Sequence, residues 1–62
     1  MEYYKQDDIL YKRDDAHAWS YFCFGHWNFI SAIWANDMET ALRWKDANLV
    51  PMTKAEMFIE IL

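Results

Sequence analysis

The sequence predicts an α+β fold: a small antiparallel sheet of three or four strands, followed by two short helices packed on one face. Roughly residues 2-34 consist of short aromatic and β-branched runs separated by polar pairs, which is typical of strands and turns. The remainder carries two helix-start signals, which predict helices over roughly 37-47 and 54-62. Strand runs followed by helical runs are the pattern of an α+β domain.

The strand region is divided by polar pairs that are typical of turns. The runs read YYKQ, ILYKR, AWSYFCF and WNFISAIW, and the turns are predicted at Asp7-Asp8, Asp14-Asp15 and Gly25-His26. Within the third run the side chains of Trp19 and Tyr21 should share one face, opposite Phe22. A helix over residues 16 to 34 is the competing interpretation, because Trp27 and Trp34 are also compatible with helical spacing. Aromatic density and Gly25 favour strands.

Two helices are expected in the second half of the chain. Asn36 is a suitable N-cap with Glu39 three residues later, which predicts a helix over roughly 37-47. Pro51 then prevents the helix from continuing. Thr53 and Glu56 have the spacing of a capping box, which predicts a second helix that runs to residue 62.

Length and charge restrict the class of protein. A chain of 62 residues is expected to form a single domain, 1-62, with a small core. Cys23 is the only cysteine, so the chain cannot form an internal disulfide. Neither a signal peptide nor a long apolar run is present, so we expect a cytoplasmic protein with no membrane association. A net charge of −4 argues against free nucleic acid as a partner.

The residues offer little material for catalysis or metal binding. The only soft ligands are Cys23, His17 and His26, fewer than the four that a structural zinc site requires. Adjacent acids in strand turns usually serve turn formation and solubility. No phosphate-binding glycine loop or nucleophile elbow occurs. We therefore expect no enzymatic activity, no metal and no cofactor.

The unusual feature is a surplus of aromatic side chains, six of which fall within residues 18-29. A strand with aromatic groups on both faces supplies more apolar surface than one small core uses, and exposed aromatic patches are typical of interfaces. The sequence leaves an alternative open, in which the surplus rings pad the core of a small, twisted sheet. The predicted contact residues are the aromatic side chains Trp19, Tyr21, Trp27, Trp34, Tyr3, Tyr4 and Tyr11. Four acidic residues are predicted to steer a partner with a basic surface: Asp7, Asp8, Asp14 and Asp15.

These observations favour a small acidic protein-binding module without enzymatic activity, which we also expect to form a homo-oligomer. Small size, acidity and aromatic content are typical of inhibitors that phages and mobile elements encode to occlude a host protein; such a protein would act in the host cytoplasm. One alternative is a homo-oligomer whose aromatic residues enclose a small planar ligand such as a nucleotide. Another is a structural subunit whose aromatic face is covered in a larger assembly.

Overall fold

A computed structural model describes residues 1–62 and shows an α+β fold, as predicted. The sheet contains five antiparallel strands in the order β4-β3-β2-β1-β5, one more than the largest predicted number. The strands are β1 (Glu2–Gln6), β2 (Ile9–Arg13), β3 (Trp19–Cys23), β4 (His26–Phe29) and β5 (Leu49–Met52). The helices are α1 (Ala32–Arg43) and α2 (Lys54–Ile61). Neither helix is long and apolar enough to cross a membrane.

The first four strands form the predicted meander, with one turn displaced. Asp7 and Asp8 connect β1 to β2 as expected. The turn between β3 and β4, however, consists of Phe24 and Gly25, because His26 already pairs with Cys23 in the ladder. The predicted turn at Gly25-His26 is therefore wrong by one residue.

The strand that was not predicted from the sequence is β5, which lies between the helices in the chain and pairs with β1 at the edge of the sheet. Its sequence, Leu49–Met52, includes Pro51, which argues against a central strand. An edge strand tolerates proline where the missing N–H would point away from the neighbouring strand. Pro51 is opposite Tyr4 in the register, and only tertiary pairing reveals this short strand.

The first helix begins five residues earlier than the predicted 37-47 and ends four residues earlier. Ser31 is the N-cap, and its hydroxyl accepts a hydrogen bond from the backbone N–H of Trp34 at 3.2 Å. Residues 32–34, predicted in the sheet, therefore belong to α1. The helix ends at Arg43, and Lys45 follows with a positive φ of 53°. Asn36 lies inside the helix because the serine cap precedes it.

The capping box of the second helix is confirmed. The Thr53 hydroxyl accepts a hydrogen bond from the Glu56 N–H at 3.1 Å, and the Glu56 carboxylate accepts one from the Thr53 N–H at 2.9 Å. These reciprocal bonds lower the pKa of Glu56 below its ordinary value, with the bond from the Thr53 backbone as the largest cause. The helix ends at Ile61, one residue before the predicted end at 62.

The two helices lie on opposite faces of the sheet, so the prediction that both pack on one face is wrong. Met38 of α1 is buried with Tyr4 in the main core. Lys5 follows Tyr4 in β1 and so points to the other face, where its Nζ lies 3.2 Å from a carboxylate oxygen of Glu60 in α2. Met57 of α2 is fully buried and outside the main core cluster. With β5 between the helices, the chain crosses the sheet edge, and α2 packs on the face that α1 leaves free, at the β1 side of the sheet.

Candidate functional site

Most of the predicted contact residues lie on the face covered by α1, where they form an aromatic cluster. Trp19 and Tyr11 are only 1% and 2% exposed, with ring centroids 6.3 Å apart. Tyr4 is also buried, with its ring centroid 5.5 Å from that of Trp19. Their burial removes these three residues from any contact surface. Tyr21 and Trp34 are half-buried against each other, with centroids 5.0 Å apart, and border this core.

The opposite face carries a second aromatic group, centred on Trp27. The Trp27 ring lies 5.3 Å from the Phe22 ring and 6.4 Å from the Tyr3 ring, measured between centroids. The Lys12 ammonium lies 4.8 Å from the Trp27 ring centroid, within the range of a cation–π interaction. These side chains are half-buried rather than enclosed. Of the predicted contact residues, Trp27 and Tyr3 are thus brought together, away from the main core.

Two phenylalanines near this group are almost fully exposed. Phe24, in the β3–β4 turn, is 95% exposed, and Phe29, at the end of β4, is 84% exposed. Together with Phe22 and Trp27 they form what we call the hairpin aromatic surface. Neither Phe24 nor Phe29 is among the contact residues predicted from the sequence. A signal for Phe24 is present, since it precedes the only glycine in a stretch that folds as a two-residue hairpin turn.

Phe24 also has an unfavourable backbone conformation. It has φ 53° and Gly25 has φ 82°, the pattern of a type I′ turn. Asn, Asp or Gly normally occupies the first position of such a turn, because positive φ is uncommon for bulky residues. The exposed ring therefore stabilises nothing in the chain, while its backbone costs on the order of 1–3 kcal/mol.

The predicted acidic residues divide between the two ends of the sheet. Asp7 and Asp8 lie in the β1–β2 turn, at the same end as the Phe24 turn, because β1 and β3 run in the same direction. Both carboxylates are exposed and make no hydrogen bond or ion pair within the chain. At the other end, Asp14 accepts bonds from two backbone amides at 2.8 and 3.0 Å, and Asp15 pairs with the N-terminal ammonium at 3.2 Å. Asp7 and Asp8 are therefore the carboxylates available to a partner.

A charged network joins β1, β2 and α1 at that other end of the sheet. Arg13 lies 3.0 Å from a carboxylate oxygen of Glu2 and 2.9 Å from one of Glu39. The Tyr4 hydroxyl donates a hydrogen bond to Glu2, which is the largest cause of the lowered pKa of Glu2. Burial, followed by this hydrogen bond to the carboxylate, raises the pKa of Tyr4 to about 12. Through the pairs of Arg13 with Glu2 and Glu39, the network connects α1 to the sheet.

The soft ligands do not converge. Cys23 and His26 form a register pair beside the Phe24 turn. His17 precedes the start of β3, so the length of that strand, about 16 Å, separates it from Cys23. The chain contains no group of three or more His, Cys, Asp and Glu side chains that could hold a metal ion.

One groove of about 530 Å³ lies between the C-terminal part of α1 and β5. Its lining is mainly apolar, including Leu42, Leu49 and Pro51, with Lys45 and Asp46 as its charged residues. The volume is within the range of small-molecule sites, although such sites usually add several convergent polar groups.

Comparison with known proteins does not assign this arrangement to a family. No protein-family model, curated protein or solved structure matches the chain.

Proposed function

We propose that this chain is a small protein-binding module that contacts its partner through the hairpin aromatic surface and occludes the surface that it covers. The mode of action is that of the small inhibitors that phages and mobile elements direct at host proteins. Enzymatic activity is not part of the proposal, because Arg13 is paired with Glu2 and Glu39 between the sheet and α1, and no group of three or more His, Cys, Asp and Glu side chains is placed to hold a metal ion.

The observation that carries this proposal is the exposure and backbone conformation of Phe24. Its ring is almost fully exposed, and its backbone has a conformation that disfavours phenylalanine. Backbone strain of this kind is concentrated at functional sites. An aromatic side chain at a protruding turn is suited to fill a pocket on a partner, as aromatic anchors do at interfaces.

Charge supports a partner with a basic surface. Asp7 and Asp8 are free carboxylates at the same end of the sheet as Phe24, and the chain as a whole has a net charge of −4. Complementary charge steers the approach of two proteins and increases the association rate. In this proposal Phe24 contacts the partner, and the acidic turn of Asp7 and Asp8 orients the partner as it approaches.

Affinity capture with matched variants tests the proposal. The immobilised wild-type chain is compared with Phe24→Asn, which retains the turn, and with Ile59→Asn, which removes a side chain that is 70% exposed on α2. The proposal predicts a protein retained by the wild type and by Ile59→Asn, and lost with Phe24→Asn. Equal capture by all three chains, or capture of no protein, would contradict it.

The groove between α1 and β5 favours a second candidate function, the binding of a small planar ligand such as a nucleotide. Its volume and apolar lining are the supporting observations. Titration calorimetry with a panel of nucleotides distinguishes the two functions. Binding heat that disappears in Leu42→Arg, a change within the groove, would favour the ligand site, whereas the occlusion function predicts no heat with any nucleotide.

A further inference from the structure

The two edges of the sheet differ in whether they can accept another strand. The β5 edge contains Pro51, which has no N–H to donate. The β4 edge is only four residues long, but it contains neither a proline nor a charged side chain, two of the devices that usually protect an edge strand from pairing. The sheet therefore has one open edge, β4.

The register shows which backbone groups of β4 are available. The Ile30 N–H donates to the Trp19 carbonyl at 3.2 Å, so the alternate residues His26, Asn28 and Ile30 direct their backbone groups toward β3. Trp27 and Phe29 therefore direct their N–H and C=O groups away from the sheet. Their side chains lie on the face where the hairpin aromatic surface is exposed.

We propose that β4 pairs antiparallel with β4 of a second copy of this chain, forming a ten-stranded sheet across a two-fold axis. Placing Asn28 opposite Asn28 of the second copy aligns Trp27 with Phe29 of that copy in both directions. This register allows four backbone hydrogen bonds, because each of the two aligned pairs exchanges both of its bonds. It also places the two exposed Phe29 rings beside the two Trp27 rings.

The distribution of charge argues for a second copy as the occupant. All sixteen charged side chains lie outside residues 16–36, the segment that contains β3 and β4. Two chains, each with net charge −4, can therefore meet along β4 without placing like charges together. Because the β5 edge is blocked, pairing at β4 closes with two copies and does not continue into a fibre.

The pairing uses Trp27 and Phe29, whereas the proposed function depends on Phe24 in the adjacent turn, so either proposal can fail while the other stands. Light scattering of the full chain over a dilution series should give twice the mass of 7.6 kDa at high concentration and the single mass on dilution. In the dimer the Trp27 and Phe29 amides should be protected from hydrogen exchange.

Variants of both edges locate the contact. Phe29→Pro removes an outward N–H that β3 does not use, and Phe29→Lys adds a charge to the edge; both should give only the 7.6 kDa species while retaining the wild-type circular dichroism spectrum. Val50→Lys on the other edge and Phe24→Asn in the turn should remain dimeric. A monomer at every wild-type concentration would overturn the proposal. A dimer that survives both Phe29→Pro and Phe29→Lys would also overturn it. A dimer whose Trp27 and Phe29 amides exchange freely, such as one formed through α2, would do the same.

Discussion

Trp19 and Phe24 lie five residues apart in the chain, and their side chains end in opposite environments. Trp19 is buried beneath α1, whereas Phe24 is exposed at the tip of a hairpin. Both are large apolar residues in one aromatic run, so composition alone cannot distinguish them. The distinction comes from the pleat and the turn, since the ladder directs Trp19 toward α1 and ends one residue before Phe24.

Replacing Phe24 with asparagine should stabilise the chain. Asn-Gly is the preferred pair for a type I′ turn, because asparagine adopts the positive φ of this position with less strain than phenylalanine. The change removes no packed side chain. We expect a gain of about 1 kcal/mol in the free energy of unfolding, which corresponds to a rise of about 4–8 °C in Tm. Calorimetric or circular dichroism melting provides the measurement, with Ile59→Asn as the exposed control. An unchanged or lower Tm for Phe24→Asn would mean that the turn is not strained.

Tyr4 should make the stability fall in alkaline solution. Its pKa is raised to about 12 in the folded chain from an ordinary value of 10.0, so the folded state holds the proton more tightly than the unfolded state. The resulting stabilisation is complete below pH 10 and is lost as the pH rises from 10 to 12. Urea unfolding of the wild type and of Tyr4→Phe should show the wild-type advantage shrinking across that interval. A constant difference between the two chains would contradict the assignment.

At the scale of elements, a helix or strand was predictable where its signal is local in the sequence, and was not predictable where it depends on pairing with a distant strand. Thr53 and Glu56 predicted the start of α2 because a capping box is complete within four residues. Ser31 and Asn36 are both suitable caps, and local sequence does not show that the earlier one is used. The strand around Pro51 has no alternating pattern, and its existence depends on β1. The opposite placement of the helices follows from that missed strand.

Removing the cap of α2 should loosen the helix that covers the second face. Thr53→Ala eliminates the hydroxyl that accepts from Glu56, and loss of an N-cap costs about 0.5–2 kcal/mol. Glu56→Gln is the matched control, because glutamine also completes a capping box. Thermal melting should show a lower Tm for Thr53→Ala and a smaller change for Glu56→Gln. Equal effects would mean that the charge of Glu56 matters more than the cap.

The pKa of Glu56 adds a pH dependence to the same helix. Because this pKa is lowered in the folded chain, the stabilisation is complete above the ordinary value of 4.5 and is lost as the pH falls through the lowered value. Acid titration followed by circular dichroism should therefore show a steeper loss of stability below pH 4.5 for the wild type than for Glu56→Gln. Identical acid profiles would exclude a contribution from this carboxylate.

At the scale of the whole molecule, the sheet separates two kinds of aromatic surface. The α1 face uses its rings for the core, while β4 and its turn leave theirs exposed. An excess of aromatic residues over the needs of one core was predictable from composition. Of the seven aromatic residues predicted to contact a partner, Tyr4, Tyr11 and Trp19 are buried in the main core, whereas Trp27 and Tyr3 lie outside it. Sequence alone did not show which face each helix would cover.

The acidic turn should affect how fast a partner binds more than how tightly it is held. Changing Asp7 and Asp8 together to asparagine removes two free carboxylates while keeping residues that tolerate a turn. Stopped-flow or surface-based kinetics with the captured partner should show slower association and a weaker salt dependence, with little change in dissociation. Association that is unaffected by this change would place the basic surface elsewhere.

The most direct test of the proposed function is whether residue 24 touches another protein. Replacing Phe24 with a photoreactive phenylalanine analogue, and Ile59 with the same analogue as a control, allows crosslinking in cells that express the chain. We predict a covalent product between position 24 and a protein other than a second copy of the chain, with no such product from position 59. A chain that crosslinks only to itself, or equally from both positions, would contradict the assignment of the hairpin aromatic surface as the site of partner binding.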